Sequence, residues 1–138
     1  MRFMVIVKSD EQTDAAGAQP SAEDLQEMGK FNEELVKAGV MLAGEGLLPS
    51  ASGFRIQYSG TTEARVVDGP FAESKELIAG FWILQVKDRA EVVEWMKRAP
   101  FREGEIEIRQ IAELEDFDNA TPEIVEFEQN LRKQAEAN

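Results

Sequence analysis

Residues 77–100, LIAGFWILQVKDRAEVVEWMKRAP, decide the fold class, because they join a strand with two apolar faces to a capped helix. The alternating side chains of the strand, predicted at 77–87, are Phe81 and Ile83 on one face and Trp82, Leu84 and Val86 on the other. Asp88 and Glu91 form a capping box that predicts the helix start, and Pro100 predicts its end. The apolar side of this helix carries Val92, Trp95, Met96 and Ala99. A strand of this kind is covered on both faces.

A similar strand and helix begin the chain. The stretch RFMVIVK, residues 2–8, also alternates between two apolar faces. Ser21 fits a helix N-cap with Asp24 three residues on, and Gly39 fits the glycine that ends a helix. The predicted apolar stripe of this helix is Leu25, Met28, Phe31 and Leu35. A polar loop is predicted at 10–19, and a second strand at 40–48.

The remaining strands complete the order β-α-β, hairpin, β-α-β. Residues 54–58 and 64–67 form the predicted hairpin, and EIEIRQI, residues 105–111, alternates as a final strand. This order predicts an α+β, ferredoxin-like split βαβ fold, with both helices on one face of an antiparallel sheet. The other face would be apolar and open. A second copy is the economical cover, so we predict a homodimer with its sheets packed face to face.

A helical extension is predicted at 119–138, after a domain at 1–118. Thr121 and Pro122 fit the start of its helix, and Ile124, Phe127 and Leu131 share one side of it. The acidic residues that precede the helix are typical of a solvated linker. One apolar stripe does not stabilise a short helix alone, so we expect the helix to dock on its own domain or on the partner subunit.

Composition excludes several kinds of chemistry. The chain has no cysteine and no histidine, which removes disulfides, thiolate zinc sites and the side chain best suited to proton transfer near neutral pH. Fifteen basic residues against 27 acidic ones give a net charge of −12, which disfavours nucleic acid as a partner. We expect no metal and no cofactor. We also expect no membrane partner, since no apolar run approaches the roughly 20 residues of a membrane span. Without the pattern of a secretion signal, the expected location is cytoplasmic.

The candidate site lies in VVDGPFAESKE, residues 66–76. Asp68, Gly69 and Pro70 have the composition of a tight turn, in which an aspartate accepts backbone N–H bonds. Alternatively, the turn aims the Asp68 carboxylate into a pocket with Phe71 as an apolar wall, where partial desolvation makes it a better base. The charged run that follows is either solvated or a local binding site for an anionic substrate group. Its substrate-binding candidates are Glu73 and Lys75.

Glu45 is the second candidate carboxylate, because Gly44 and Gly46 flank it and leave space for a ligand. The alternative is a bulge in a strand. Together, Glu45 and Asp68 would form a paired-carboxylate acid/base site or hold a divalent cation through oxygen ligands.

The run VVDGPFAESKELIAGFWILQVKDRAEVVEWMKRAP resembles the DGPF branch of the YCII-related family, and so do LAGEGLLPS before it and EIEIRQI after it. The resemblance implies a dimeric α/β-barrel assembly of ferredoxin-like subunits, with a cleft near the barrel mouth. Some relatives pair a histidine with an aspartate there, and some related enzymes act on chlorinated aromatic breakdown products. Asp68 corresponds to that aspartate, whereas the histidine has no counterpart in this chain.

We therefore hypothesise a homodimer that binds a small organic molecule, such as an aromatic or lactone acid, in a cleft edged by Asp68. As an enzyme it would be an isomerase or lyase with Asp68 as general base. The alternative is a non-catalytic ligand sensor or interaction module. A closed apolar pocket with converging carboxylates would favour the enzyme, and an exposed patch around Phe127 and Leu131 would favour the module.

Overall fold

The computed structural model of the chain describes residues 1–60, 62–71 and 76–138. Its strands and helices are, in chain order, β1 (Arg2–Lys8), α1 (Ala22–Lys37), β2 (Met41–Gly46), β3 (Phe54–Tyr58), β4 (Ala64–Asp68), β5 (Ile78–Gln85), α2 (Arg89–Lys97), β6 (Ile106–Gln110) and α3 (Pro122–Glu136). Short 3₁₀ turns lie at Ser50–Ser52 and Leu114–Asp116.

Four strands form an antiparallel sheet in the order β2-β5-β1-β6. The helix α1 connects β1 to β2 across β5, and α2 connects β5 to β6 across β1, so the sheet consists of two interleaved βαβ units. The strands β3 and β4 form a separate two-stranded ribbon. The predicted α+β, ferredoxin-like antiparallel sheet with a hairpin insert is therefore confirmed. The dimeric barrel stays a prediction.

The hydrophobic core lies between one face of this sheet and the helices α1 and α2. The strand register places Val5 opposite Trp82 and Phe3 opposite Leu84. The buried cluster consists of Phe3, Val5, Phe31, Leu35, Val40, Trp82, Leu84, Val86, Val92 and Met96. Leu25 does not join the predicted stripe of α1, because the contact of this helix with the core begins one turn later, at Met28.

Local capping signals correctly located the ends of the helices. The N–H of Asp24 donates to Ser21 Oγ at 3.0 Å, and the N–H of Glu91 donates to Asp88 Oδ1 at 3.0 Å. At the start of α3, the N–H of Ile124 donates to Thr121 Oγ1 at 3.3 Å. Gly39 follows α1 with a φ of 72°, the left-handed conformation that glycine adopts freely.

The packing of Trp82 explains why position 44, next to Glu45, is a glycine. Its Nε1 donates to Asn32 Oδ1 at 2.9 Å, and its ring meets Phe31 edge to face at 5.9 Å between ring centroids. A Cβ on Gly44 would lie 2.8 Å from Trp82 Cδ1. The space beside Gly44 is therefore filled by the indole and not left for a ligand. The irregular register of β2 lies earlier, between Met41 and Ala43.

The second face of the sheet carries an apolar strip two strands wide, the open sheet face. It consists of Met4 and Ile6 on β1 and Phe81 and Ile83 on β5. The register pairs Met4 with Ile83 and Ile6 with Phe81, and all four side chains are half-buried. This is the strip that the predicted dimer would cover.

The apolar stripe of α3 faces away from the domain. Ile124, Phe127 and Leu131 are 48%, 66% and 47% exposed. The helix instead turns Val125 and Arg132 toward the turn at 114–116. The helix therefore contacts its own domain through the side that carries Val125 and Arg132 and not through the apolar stripe, and docking on a partner subunit stays a prediction. None of the helices in the described part of the chain has the length and hydropathy to cross a membrane.

Candidate functional site

The residues after β4 fold back onto the 3₁₀ turn at Ser50–Ser52. Asp68 is the last residue of β4 and pairs with Phe54 on β3. The N–H of Gly69 donates to the Gly53 carbonyl at 2.9 Å, and the Gly69–Pro70 peptide is cis. The N–H of Phe71 then donates to Ser50 Oγ at 3.2 Å. We call residues 68–71 the DGPF corner.

Gly69 is required by a close contact within this corner. A Cβ built on it would lie 1.8 Å from the Ser50 carbonyl oxygen and 3.3 Å from the Gly53 carbonyl oxygen. Both neighbours are backbone atoms, which do not move aside as the end of a flexible side chain does. The glycine of the corner is therefore explained by packing.

Ser50 is in turn held by Asp14, a residue that the sequence did not single out. Asp14 Oδ1 accepts the Ser50 N–H at 2.8 Å, and Asp14 Oδ2 accepts the Ser50 hydroxyl. Both residues are half-buried. Asp14 lies in the loop predicted at 10–19, far from Ser50 in the chain, and no spacing pattern links two such positions. The contact therefore had no signal in the sequence.

Phe71 has a cationic neighbour. The Arg55 guanidinium lies over the Phe71 ring, with Cζ 3.9 Å from the ring centroid, and Arg55 NH2 lies 3.0 Å from Glu76 Oε2. A cation over an aromatic face is attractive. Because Arg55 follows Phe54, its side chain leaves β3 on the face opposite to Phe54 and Asp68. One face of the ring predicted as an apolar wall is therefore covered by Arg55.

The Asp68 carboxylate is exposed and, within residues 1–60, 62–71 and 76–138, accepts no hydrogen bond and forms no ion pair. The turn interpretation expects this side chain to accept backbone N–H bonds, but the corner is closed by Gly69 and Phe71 instead. The partial desolvation expected for a base in a pocket is absent in the single chain. Asp68 shares one side of the ribbon, the ribbon face, with Phe54, Ile56, Tyr58, Ala64 and Val66.

The other predicted site residues are not gathered around Asp68. Glu45 is exposed on β2, opposite Phe81, and so belongs to a different sheet. The geometry gives no support to the paired-carboxylate site with Asp68. Glu73 and Lys75 lie outside the described residues. Among the residues that the structure describes, no three acidic side chains are grouped to hold a metal ion.

Two depressions in the surface lie away from the corner. One, of about 520 Å³, lies at the end of the sheet, and the other, of about 130 Å³, lies between the turn at 114–116 and α3. The larger is lined by Met1, Arg2, Gln85, Gln110, Ile111, Glu113, Glu115 and Asp116. Both are open and partly polar, so neither is the closed apolar pocket that would favour an enzyme.

The protein is a small α+β domain. It consists of an antiparallel ferredoxin-like sheet and a two-stranded insert that ends in the DGPF corner. A family model for the YCII-related domain matches residues 1–115, and the chain belongs to the YCII-related family. Membership of the DGPF branch stays a prediction that rests on the sequence of the corner.

Two known proteins are similar to this chain. The chain is 26% identical over 116 residues to an uncharacterized protein of Rhizobium meliloti (strain 1021). The alignment covers 81% of this chain and 93% of that protein. It is also similar to the solved structure of 5-chloro-2-hydroxyhydroquinone dehydrochlorinase (TftG) from Burkholderia phenoliruptrix AC1100, in complex with 2,5-dihydroxybenzoquinone. That likeness has a TM-score of 0.43 at 13% identity and covers 86% of this chain and 100% of the other. At this distance it does not bear on the activity of this chain.

Proposed function

We propose that this YCII-related chain acts as a homodimer that binds a small organic molecule beside the Asp68 carboxylate. One observation carries the proposal: the corner is held by Gly69 and Phe71, whereas the Asp68 side chain has no structural partner among the described residues. A carboxylate that does not stabilise the turn is free to bind a ligand or to accept a proton.

The ribbon face supports a ligand with an apolar body. Phe54, Ile56 and Val66 are 64%, 47% and 61% exposed on the same side of the ribbon as Asp68. An aromatic or lactone ring would bury apolar surface against them. If the ligand is an acid, a nearby cation must offset the repulsion from Asp68 and from the net charge of −12. Lys75, a substrate-binding candidate from the sequence, is the proposed cation, because Arg55 leaves β3 on the face opposite to Asp68.

The catalytic form of the proposal is an isomerase or lyase. Asp68 would take a proton from a carbon next to a carbonyl group, and the resulting carboxylic acid would return the proton to another atom or to the leaving group. Such a step needs one positioned acid/base group and no histidine. The ligand-sensing form of the proposal needs the same carboxylate without turnover.

A thermal-shift screen tests this proposal. The compounds are aromatic and lactone carboxylic acids and their neutral amides, and the proteins are wild type, Asp68→Asn and Asp118→Asn. The control removes one charge from an exposed acid before α3. We expect compounds that raise the melting temperature of wild type and of the control to lose that effect on Asp68→Asn. Equal shifts on all three proteins would contradict the proposal.

A second function is favoured by the exposure of α3. Phe127 and Leu131 present an apolar stripe, which is the feature expected of an interaction module. In that case Asp68→Asn is neutral in every assay, whereas Phe127→Asp removes a complex that wild type forms. Sedimentation velocity of the two variants beside wild type separates these outcomes.

A further inference from the structure

We propose that Asp14 and Ser50 are positioning residues for Asp68, and that together they form a latch that sets the direction of its carboxylate. This inference rests on the proposed function of Asp68. The latch is the chain of hydrogen bonds from the Phe71 N–H to Ser50 Oγ and from the Ser50 hydroxyl to Asp14.

The direction of these bonds is fixed by their chemistry. An ionised carboxylate only accepts hydrogen bonds, and a serine hydroxyl has one proton to donate. Because Asp14 Oδ2 takes that proton, the Ser50 oxygen offers a lone pair to the Phe71 N–H. The second Asp14 oxygen accepts the Ser50 N–H at 2.8 Å, so the same side chain also fixes the Ser50 backbone.

The latch holds the corner on both sides of the Gly69–Pro70 peptide. On one side, the Gly69 Cα lies against the Ser50 carbonyl, and the Gly69 N–H is bonded to Gly53. On the other side, the Phe71 N–H is bonded to the Ser50 hydroxyl. Asp68 directly precedes this clamped segment.

The direction of the Asp68 side chain depends on this backbone. Its carboxylate accepts no hydrogen bond and forms no ion pair within the described parts of the chain, so no polar contact to those residues orients it. The position of such a carboxylate is therefore only as well defined as the position of the backbone that carries it. Asp14, 36 positions from Ser50 in the sequence, thus couples the loop at 10–19 to the site.

Nuclear magnetic resonance on the full chain tests the latch. The variants are Asp14→Asn and Ser50→Ala, with Asp10→Asn and Ser52→Ala as controls. Asp10 is an acid of the same loop whose carboxylate accepts hydrogen bonds from Thr13 and none from Ser50, and Ser52 is an exposed serine of the same turn. We expect amide exchange at Phe71 to become about tenfold faster or more in the two latch variants and to stay unchanged in the controls. Exchange at Trp82 and Leu84, in the core, should match wild type throughout.

The positioning role has a readout of its own that needs no ligand. The backbone order parameter of Asp68 should fall from about 0.85, typical of rigid backbone, toward about 0.6 in the latch variants. Ser50→Thr, which keeps the hydroxyl, should restore both this value and the Phe71 exchange rate. With any compound whose thermal shift is lost in Asp68→Asn, the latch variants should bind more weakly than the controls.

The possible failures are distinguishable. Unchanged Phe71 exchange in Asp14→Asn contradicts the latch. Faster exchange with an unchanged order parameter at Asp68 contradicts the positioning role. Thermal shifts that persist in Asp68→Asn contradict the proposed function, and the exchange data still decide whether the latch exists.

Discussion

At the scale of single residues, neighbouring positions of the DGPF corner have different roles: Gly69 and Phe71 hold the turn, and Asp68 is the proposed ligand-binding residue. Gly69 fits against the Ser50 carbonyl and Phe71 donates to the Ser50 hydroxyl, while the Asp68 carboxylate has no partner in the described parts of the chain. The sequence predicted a turn at this position from its composition alone. It did not predict the partner of the turn, because Ser50 and Asp14 come from segments that only the tertiary fold brings to the corner.

Gly69→Ala should destabilise the protein by about 1–3 kcal/mol, the usual cost of forcing a methyl group into a packed site. The reason is the contact of 1.8 Å that the new Cβ would make with the Ser50 carbonyl oxygen. Urea unfolding at one fixed protein concentration measures the change. Gly46→Ala is the matched control, since a Cβ there meets nothing within 4 Å. Equal stability of the two variants would show that the corner is not clamped.

At the scale of the elements, local signals were sufficient for the helix ends and insufficient for the packing of α3. Ser21, Asp88 and Thr121 cap the helices as predicted, because capping depends on residues within one turn. The packing of α3 depends instead on residues that are distant from it in the chain. Glu113 links α3 to β1, since its two oxygens lie 2.8 Å from Arg2 Nε and 3.8 Å from Arg132 NH2, and the apolar stripe stays exposed.

Docking of α3 should weaken in acid. The hydrogen bond from Arg2 holds the pKa of Glu113 below its ordinary value of 4.5, and the charge of Arg132 acts in the same direction. A lowered pKa means that the contact is fully present above pH 4.5 and is lost as the pH falls through the lower value. Hydrogen exchange of α3, followed in steps from about pH 6 into acid and corrected for the intrinsic pH dependence of exchange, measures the release.

Glu113→Gln is the control for this titration, because it removes the titrating group and retains the size of the side chain. Exchange of α3 in this variant should already be raised near neutral pH and should show less additional increase in acid than wild type. An acid response of α3 that is identical in wild type and Glu113→Gln would show that another group attaches the helix.

At the scale of the whole molecule, the apolar alternation of β1 and β5 predicted both the sheet and its open face. The order β2-β5-β1-β6 followed from the sequence of elements, because short connections and helices on one face allow few other arrangements. The cover predicted for Met4, Ile6, Phe81 and Ile83 is a second copy of the chain, and the fold of a single chain does not test it. The homodimer is therefore a prediction that solution measurements decide.

Ile83→Glu should convert a dimer into a folded monomer, because it places a charge in the middle of the open sheet face. Sedimentation velocity at micromolar concentration measures the mass, and far-ultraviolet circular dichroism checks that the fold persists. Leu25→Glu, on the exposed side of α1, is the control and should remain dimeric. A wild-type protein that sediments as a monomer would contradict the predicted assembly.

The most direct test of the central claim is the free energy of unfolding of Asp68→Asn, measured by urea denaturation at a protein concentration matched to wild type. A carboxylate without a structural partner predicts a change within about 0.5 kcal/mol, as for ordinary surface substitutions. A loss of about 1 kcal/mol or more is the value typical of a broken hydrogen bond. That result would show that Asp68 stabilises the turn, and it would contradict the claim that its carboxylate is free to bind a ligand.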